Sequence, residues 1–355
     1  MKKVFIDPGD IDIAFIKEIA HILKAGGIVA LPTETVYGLA VSSQNPDAVA
    51  KLYALKKRPQ DKPFTLALAD IATVTDKIFA PLPPFGYRLI ERFWPGPLTI
   101  IYHDRADGKP IGLRVPAHPV TQEVMEKLRA PVYLASANVS GEREALTAAE
   151  VEEAFSGKID LIVDSGRSLY GIASTVLNLT LNPFKIVREG VVEEKDIIDT
   201  FIKKRILFVC TGNTCRSPMA QILLKKYLED DKPYLKGRYE IISRGVSAHE
   251  GSEISTSVAG ILRQRHALDA RWFLAKRLDI ETIRSSDLIF AMEDIHARHI
   301  LSMEPTAEGR VFPLRKFLPS GMDQDIPDPI GQSHDVYEEV YTLITKALSE
   351  LKDWL

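Results

Sequence analysis

The segment that most limits the fold is the run Arg205-Ile206-Leu207-Phe208-Val209, followed at once by Cys210-Thr211-Gly212-Asn213-Thr214-Cys215-Arg216-Ser217-Pro218. Consecutive apolar residues with nothing polar between them read as a strand buried on both faces, as parallel sheets require. The helical stripe Met219, Ile222, Leu223 and Tyr227 starts directly afterwards, so the loop joins a strand to a helix. The second half then repeats this rhythm, with helices from about 217 to 229, 255 to 266 and 334 to 351, and strands near 239 to 243 and at Leu288-Ile289-Phe290-Ala291. That alternation predicts a small doubly wound parallel sheet with its ligand at the carboxyl ends of the strands, where this loop sits.

A cysteine, five residues and an arginine make a loop that can wrap one phosphoryl group. Its backbone N–H groups would point inward, the helix beginning near Ser217 would add its positive end, and Arg216 could donate two parallel bonds to phosphoryl oxygens. The same field favours a thiolate, so Cys210 is expected to have a lowered pKa and to act as a nucleophile. Gly212 and Asn213 tolerate a positive φ, and Pro218 suits a first helical turn, where its missing N–H has no partner. Cleaving a phosphomonoester or phosphoramidate also needs an acid that later serves as a base. Asp328, in the proline-stiffened segment Asp325-Ile326-Pro327-Asp328-Pro329-Ile330-Gly331, is the candidate, although Asp-Pro is also an ordinary turn.

A chain of 355 residues exceeds what one core usually serves, so two domains are expected, 1–203 and 204–355. The helical spacing of Ile197, Ile198, Phe201 and Ile202 closes the first just before the strand at Arg205. There is no apolar run of membrane-spanning length, and the start MKKVFIDPGD has no apolar signal segment, so a cytoplasmic protein without membrane partners is expected. The net charge of -3 gives no global pull on nucleic acid. Cys210 and Cys215 are the only cysteines, too few for a secreted disulfide framework, and no His or Cys cluster nearby completes a metal site.

The first half alternates short apolar runs, at 27–31, 64–68, 98–102, 131–135 and 161–163, with helical candidates at about 13 to 25, 47 to 57, 119 to 129 and 147 to 155. This predicts a twisted α/β sheet domain. Lys56, Lys57, Arg58, Lys62 and Arg114 lie at element ends, and small polar runs Thr33-Glu34-Thr35 and Ser136-Ala137-Asn138 follow strands. Such a set suits a polyanion such as a nucleoside triphosphate, and a solvated basic face would carry the same charges.

From Arg205 onward the chain resembles the low-molecular-weight protein tyrosine phosphatases. The matching pieces are Cys210 to Pro218 with Met219-Ala220, Ser243-Arg244-Gly245-Val246, Ser286-Asp287-Leu288-Ile289-Phe290-Ala291-Met292 and Asp328-Pro329. The resemblance implies Cys210 as nucleophile without a cofactor, Arg216 as transition-state clamp, Ser217 as the thiolate's hydrogen-bond partner, Asn213 as loop organiser, and Asp328 as acid then base. It also implies that Cys215 can form a reversible disulfide with Cys210, with plain packing as the other reading. Family members acting on phosphotyrosine usually place aromatic residues after the Asp-Pro, whereas Ile330-Gly331 and Thr214 resemble the protein arginine phosphatase branch. Phosphoarginine and phosphotyrosine proteins, pyrophosphate and AMP are the substrates in competition.

The first half resembles the YrdC/Sua5 family through Pro32-Thr33-Glu34-Thr35-Val36-Tyr37-Gly38-Leu39, Lys56-Lys57-Arg58-Pro59, Trp94-Pro95-Gly96-Pro97-Leu98-Thr99, Arg114-Val115-Pro116, Ser136-Ala137-Asn138 and Ser174-Thr175-Val176, in that order. The resemblance implies an L-threonylcarbamoyl-AMP synthase using ATP with Mg²⁺, threonine and bicarbonate, and supplying the machinery that places threonylcarbamoyl groups on tRNA. It implies that Lys56, Arg58, Ser136 and Asn138 line the nucleotide and reaction centre, and that Thr33, Thr35, Tyr37, Lys62, Arg114, Ser174 and Arg188 complete the ATP and threonine pockets. A module that only captures RNA or nucleotides is the rival reading.

Overall fold

The computed structural model describes residues 1–318 and 325–355. Contacts divide the chain into two compact units, Met1–Leu82 with Leu89–Ile198, and Pro83–Arg88 with Asp199–Leu355. No helix among the described residues is long and apolar enough to cross a membrane.

The first unit is built on a mixed ten-stranded sheet. Its strands run, in spatial order, Lys2–Phe5, Leu161–Asp164, Val29–Leu31, Gly38–Ser42, Val132–Ser136, Thr65–Ala67, Pro110–Arg114, Leu98–His103, Thr175–Asn178 and Lys185–Arg188. Alternate residues feed two cores, as a pleat with period two demands. Val29, Leu31, Ala40, Val132, Leu134, Leu161 and Val163 face Ile16, Ile19 and Leu23 of the helix Ile13–Lys24 and Val120 and Val124 of the helix Pro119–Leu128. On the other face Ala30, Leu39, Val41 and Ile162 meet Leu52 of the helix Pro46–Lys56 and Val151 and Phe155 of the helix Ala148–Phe155. Caps delimit these helices where short polar residues take up free N–H groups: Asn45 accepts from Ala48, and Thr147 from Glu150. The helix Pro46–Lys56 ends on Lys57, whose φ of 49° lies in the left-handed region. That turn separates the directions taken by Lys56 and Arg58.

The second unit holds a four-stranded, wholly parallel sheet in the order Tyr239–Gly245, Lys204–Cys210, Leu288–Ala291, Val311–Pro313. The expected strands and helices are all present, and the helices Ile280–Ser285 and Asp294–Met303 and the strand Val311–Pro313 join them. Ile206, Phe208 and Cys210 point into one core with Met219, Leu223, Ile261 and Ile344, while Leu207 and Val209 point into another with Ile289 and Ile300. Both faces are therefore dry, which is why this strand carries no polar interruption. The chain departs from the first strand to opposite sides for the second and third, so the strand order reverses at Cys210.

Phe290 is fully buried, with its ring centroid 5.6 Å from that of Phe208 and 5.6 Å from that of Phe317. Phe290→Ala is expected to destabilise this unit by about 3–5 kcal/mol. Hydrogen exchange should then show lost protection of the amides in Lys204–Cys210; unchanged protection would show that this packing is not limiting.

Candidate active sites

In the first unit one face of the sheet, through alternate residues such as Thr65 and Ala67, Thr99 and Ile101, and Gly112 and Arg114, lines a cavity of about 630 Å³. Thr33, Thr35, Tyr37, Arg58, Lys62, Arg114, Ser136, Ser174 and Arg188 all line it. Lys56 and Asn138 stand behind this wall. Lys56, 2% exposed, donates from Nζ to the carbonyl oxygens of Ser136 and Asn138, the latter at 2.6 Å, and to Asn138 Oδ1 at 3.1 Å. Asn138 in turn accepts from Ser136 Oγ at 2.6 Å and donates to the Glu142 carbonyl at 2.7 Å. The lysine thus shapes the Ser136–Asn138 turn. Burial, with Arg58 nearby, brings its pKa down to about 8, opposed by Glu144. It is still mostly protonated at neutral pH.

Arg114 donates to the Gly96 carbonyl at 3.1 Å, Glu34 Oε1 at 2.6 Å and Thr35 Oγ1 at 3.0 Å. The second Glu34 oxygen accepts from the Ala117 amide at 3.0 Å, so this buried carboxylate is held at both oxygens. Thr33 Oγ1 and Thr35 Oγ1 lie 2.9 Å apart. Arg188 forks onto Ser174, reaching its carbonyl at 2.8 Å and its hydroxyl at 3.1 Å, and Thr99 Oγ1 is 2.9 Å from that hydroxyl. Tyr37 donates to the Gly166 carbonyl at 2.7 Å, and burial pushes its phenol up to about 12, so it remains a neutral donor. Arg58 is tied to the Lys62 and Pro63 carbonyls at 2.8 and 3.1 Å, which holds its segment over the cavity. Glu34 and Thr99 were not singled out by charge or spacing. Glu34 stands in the polar run Thr33-Glu34-Thr35, but its bonds to Arg114 and Ala117 depend on tertiary folding.

In the second unit Cys210 and Cys215 are both free and buried. Cys210 Sγ lies 3.0 Å from Ser217 Oγ and accepts from the Asn213 amide at 3.3 Å. Asn213 has a φ of 54°, and Gly212 does not share the positive φ, so the asparagine alone makes the left-handed turn. Its amide nitrogen donates to Ser217 and Ser243 at 2.9 and 2.8 Å, and its Oδ1 accepts from the Lys276 amide at 2.8 Å. Since Ser217 Oγ accepts from Asn213, its own hydrogen goes either to the sulfur at 3.0 Å or to the Arg244 carbonyl at 3.5 Å, and the shorter contact favours the sulfur. A Cβ at Gly245 would stand 2.6 Å from the Thr211 carbonyl oxygen and 2.8 Å from the Asn213 nitrogen, so only glycine lets the neighbouring strand approach the loop.

Arg216, 1% exposed, donates to Glu293, Asp328, the Ile326 carbonyl at 2.9 Å and Thr211 Oγ1 at 3.2 Å. Asp328 also accepts from the Ile330 amide at 3.2 Å, an ordinary turn bond in a residue aimed at the clamp. Thr214 Oγ1 is 3.7 Å and Tyr337 OH 3.9 Å from Cys215 Sγ. The lowered pKa expected of Cys210 does not hold here: burial pushes the thiol up, against the Ser217 hydroxyl, the Arg216 guanidinium and the amides of Ser217 and Asn213. The physical reason is that the sulfur lies in the core, where the loss of solvation outweighs those stabilising contacts. Glu293 and His296, which reach the loop from the helix region after the third strand, carried no signal of their own in the sequence.

Comparison with known proteins follows the same division. Residues 21–190 match the Sua5/YciO/YrdC family model, described as "Telomere recombination", and residues 205–355 match the model for low molecular weight phosphotyrosine protein phosphatase. The chain is 35% identical over 191 residues to the threonylcarbamoyl-AMP synthase of Bacillus subtilis, covering 51% of this chain and 55% of that one. It therefore spans about half the length of that relative. It is 30% identical over 187 residues to a putative threonylcarbamoyl-AMP synthase of Methanocaldococcus jannaschii, covering 50% of this chain and 87% of the relative. A solved variant of P. abyssi Sua5 aligns at 28% identity with a TM-score of 0.52, over 64% of this chain and 76% of that one.

The Ser217–Cys210 contact yields a pH prediction. Ser217→Ala removes a hydrogen bond that favours the thiolate, so the thiol pKa should rise further. Alkylation of Cys210 by iodoacetamide should then reach its half-maximal rate at a correspondingly higher pH; an unmoved profile would show that the hydroxyl does not stabilise the anion.

Proposed function

The chain belongs to the Sua5/YrdC family in its first half and to the low molecular weight phosphotyrosine phosphatase family in its second, and we propose that it is a bifunctional enzyme carrying both chemistries. In the first unit, L-threonine, bicarbonate and ATP give L-threonylcarbamoyl-AMP and pyrophosphate. The observation that carries this reading is the cavity that gathers Arg58, Lys62, Arg114 and Arg188 with the hydroxyls of Thr33, Thr35, Ser136 and Ser174.

The threonine amine takes up bicarbonate with loss of water, and a carboxylate oxygen of the resulting carbamate attacks the α-phosphorus of ATP as pyrophosphate leaves. Two anions have to meet, so the cationic lining offsets their repulsion and the hydroxyls orient them. The buried Glu34–Arg114 pair keeps that arginine in one orientation without consuming all of its donors. Mg²⁺ carried in on the triphosphate would neutralise phosphate charge; Asp61, the one carboxylate among the described lining residues, suits an ion that keeps most of its ligands as water and phosphate. The adenylate is chemically a mixed anhydride, made to hand its threonylcarbamoyl group to a tRNA-modifying enzyme.

In the second unit the Cys210 thiolate attacks a phosphoryl group, Arg216 turns from its carboxylates to the phosphoryl oxygens, and Asp328 protonates the leaving group. Water activated by the same Asp328 then cleaves the phosphocysteine. The carrying observation is that nucleophile, clamp and acid converge on one loop, with Arg216 bonded to Asp328 and Ser217 bonded to Cys210. Thr214 in the loop and the exposed Ile330 where an aromatic platform would stand favour a protein phosphoarginine over phosphotyrosine.

Threonine-dependent release of pyrophosphate from ATP and bicarbonate tests the first activity; it should fall at least tenfold in Arg58→Ala, and its absence in folded wild-type protein removes the reading. For the second, Cys210→Ser should abolish hydrolysis of p-nitrophenyl phosphate and Asp328→Asn should lower kcat by about 10²–10⁴. Comparing kcat/KM for phosphoarginine and phosphotyrosine proteins, pyrophosphate and AMP assigns the substrate, and a win for either small phosphate overturns the protein phosphoarginine assignment.

A further inference from the structure

His296 is the buried titratable group beside the phosphatase loop that the mechanism above leaves unused. It lies on the helix Asp294–Met303, is 2% exposed, and places Nε2 3.0 Å from Thr211 Oγ1. Its other ring nitrogen, Nδ1, is buried with no hydrogen-bond partner among the described residues. Thr211 directly follows the nucleophile, is exposed at the loop, and accepts from Arg216 Nη2 at 3.2 Å.

The donor inventory restricts what this triad can do. Arg216 can only donate, so Thr211 Oγ1 is an acceptor toward it. A protonated imidazole would bury an unpaired Nδ1–H beside a guanidinium, and burial and Arg216 indeed hold the His296 pKa down, against Glu293, Asp328 and Asp325. Of the two neutral tautomers, the one protonated at Nδ1 leaves a buried donor orphaned. The one protonated at Nε2 leaves only an unused lone pair, the cheaper defect. Nε2–H then donates to Thr211. With both lone pairs of Oγ1 taken, by His296 and Arg216, the single hydroxyl hydrogen is the only valence left.

We propose that His296 is a positioning residue that, together with Arg216, directs the Thr211 hydroxyl hydrogen at a phosphoryl oxygen of the bound substrate. Thr211 thereby becomes a substrate-binding donor of the loop in addition to its backbone. This inference rests on the phosphatase reading of the second unit. The imidazole acts through its tautomer and takes no proton in the reaction.

The test uses the full chain with p-nitrophenyl phosphate as substrate and inorganic phosphate as ligand. His296→Leu and Thr211→Val should each lower kcat/KM roughly tenfold and weaken phosphate binding, measured by calorimetry, by a similar factor. The double variant should lose no more than either single one, because both remove the same hydrogen bond. His296→Gln, which can still donate from its amide, should recover most of the loss. Additive losses, or phosphate affinity unchanged in Thr211→Val, would overturn the proposal. Should His296→Leu fail to fold, as judged by its thermal transition, Thr211→Val and His296→Gln still decide it. Wild-type protein that binds phosphate but does not hydrolyse the ester would defeat the phosphatase reading instead, and the binding arm would continue to report on His296.

Discussion

A cation taken out of water must be given partners, and this requirement organises both sites. Removing one member of a buried ion pair typically costs several kcal/mol, because the survivor keeps its desolvation penalty and loses its compensation. Lys56, Arg114 and Arg216 are all nearly inaccessible, and each is tied to fixed oxygens: carbonyls for Lys56, a doubly anchored Glu34 for Arg114, two carboxylates and a carbonyl for Arg216. The surrounding turns follow from that need. The Ser136–Asn138 turn closes around the Lys56 ammonium, and the segment carrying Asp328 comes close enough for both Ile326 and Asp328 to meet Arg216.

The two candidate sites gather their anion-binding groups by different physical means. In the first unit, side chains from widely separated strands converge on an open cavity, so the shape of the site depends on the register of a ten-stranded sheet. In the second, one short loop and one helix start provide most of the binding atoms, and the sheet supplies only a rigid seat. Gly245 shows how tight that seat is, because the strand beside the loop comes within a methyl group of it.

This difference also governs how far each site can be read from the chain. Cys210 to Pro218 is contiguous, and its flanking strand and helix have strong apolar patterns, so the loop and its chemistry are legible locally. Asp328 is visible as an Asp-Pro but not as a partner of Arg216, since that pairing depends on tertiary folding. The burial that raises the Cys210 thiol is likewise a property of the packed core, invisible to a reading of loop charge alone. In the first half the interior runs around Val29, Ile100, Val132 and Ile162 stand out because their central residues are buried apolar side chains. The edge strands Lys2–Phe5 and Lys185–Arg188 do not, because solvated edges carry polar residues and lack an apolar run. Gly38–Ser42 is buried throughout, yet it is short and runs directly on from the motif at 33–37, so no break in the sequence marks where the strand begins.

The pairing of Arg216 with Glu293 and Asp328 bears on turnover as well as on architecture. On the proposed phosphatase reading, a phosphoryl group entering the loop exchanges places with carboxylates that are already there, so its affinity measures a contest between anions. Those carboxylates remain tethered within reach after the chemistry is done. On that reading they would reclaim the guanidinium as inorganic phosphate departs, disfavouring a long-lived product complex and resetting the loop for the next cycle.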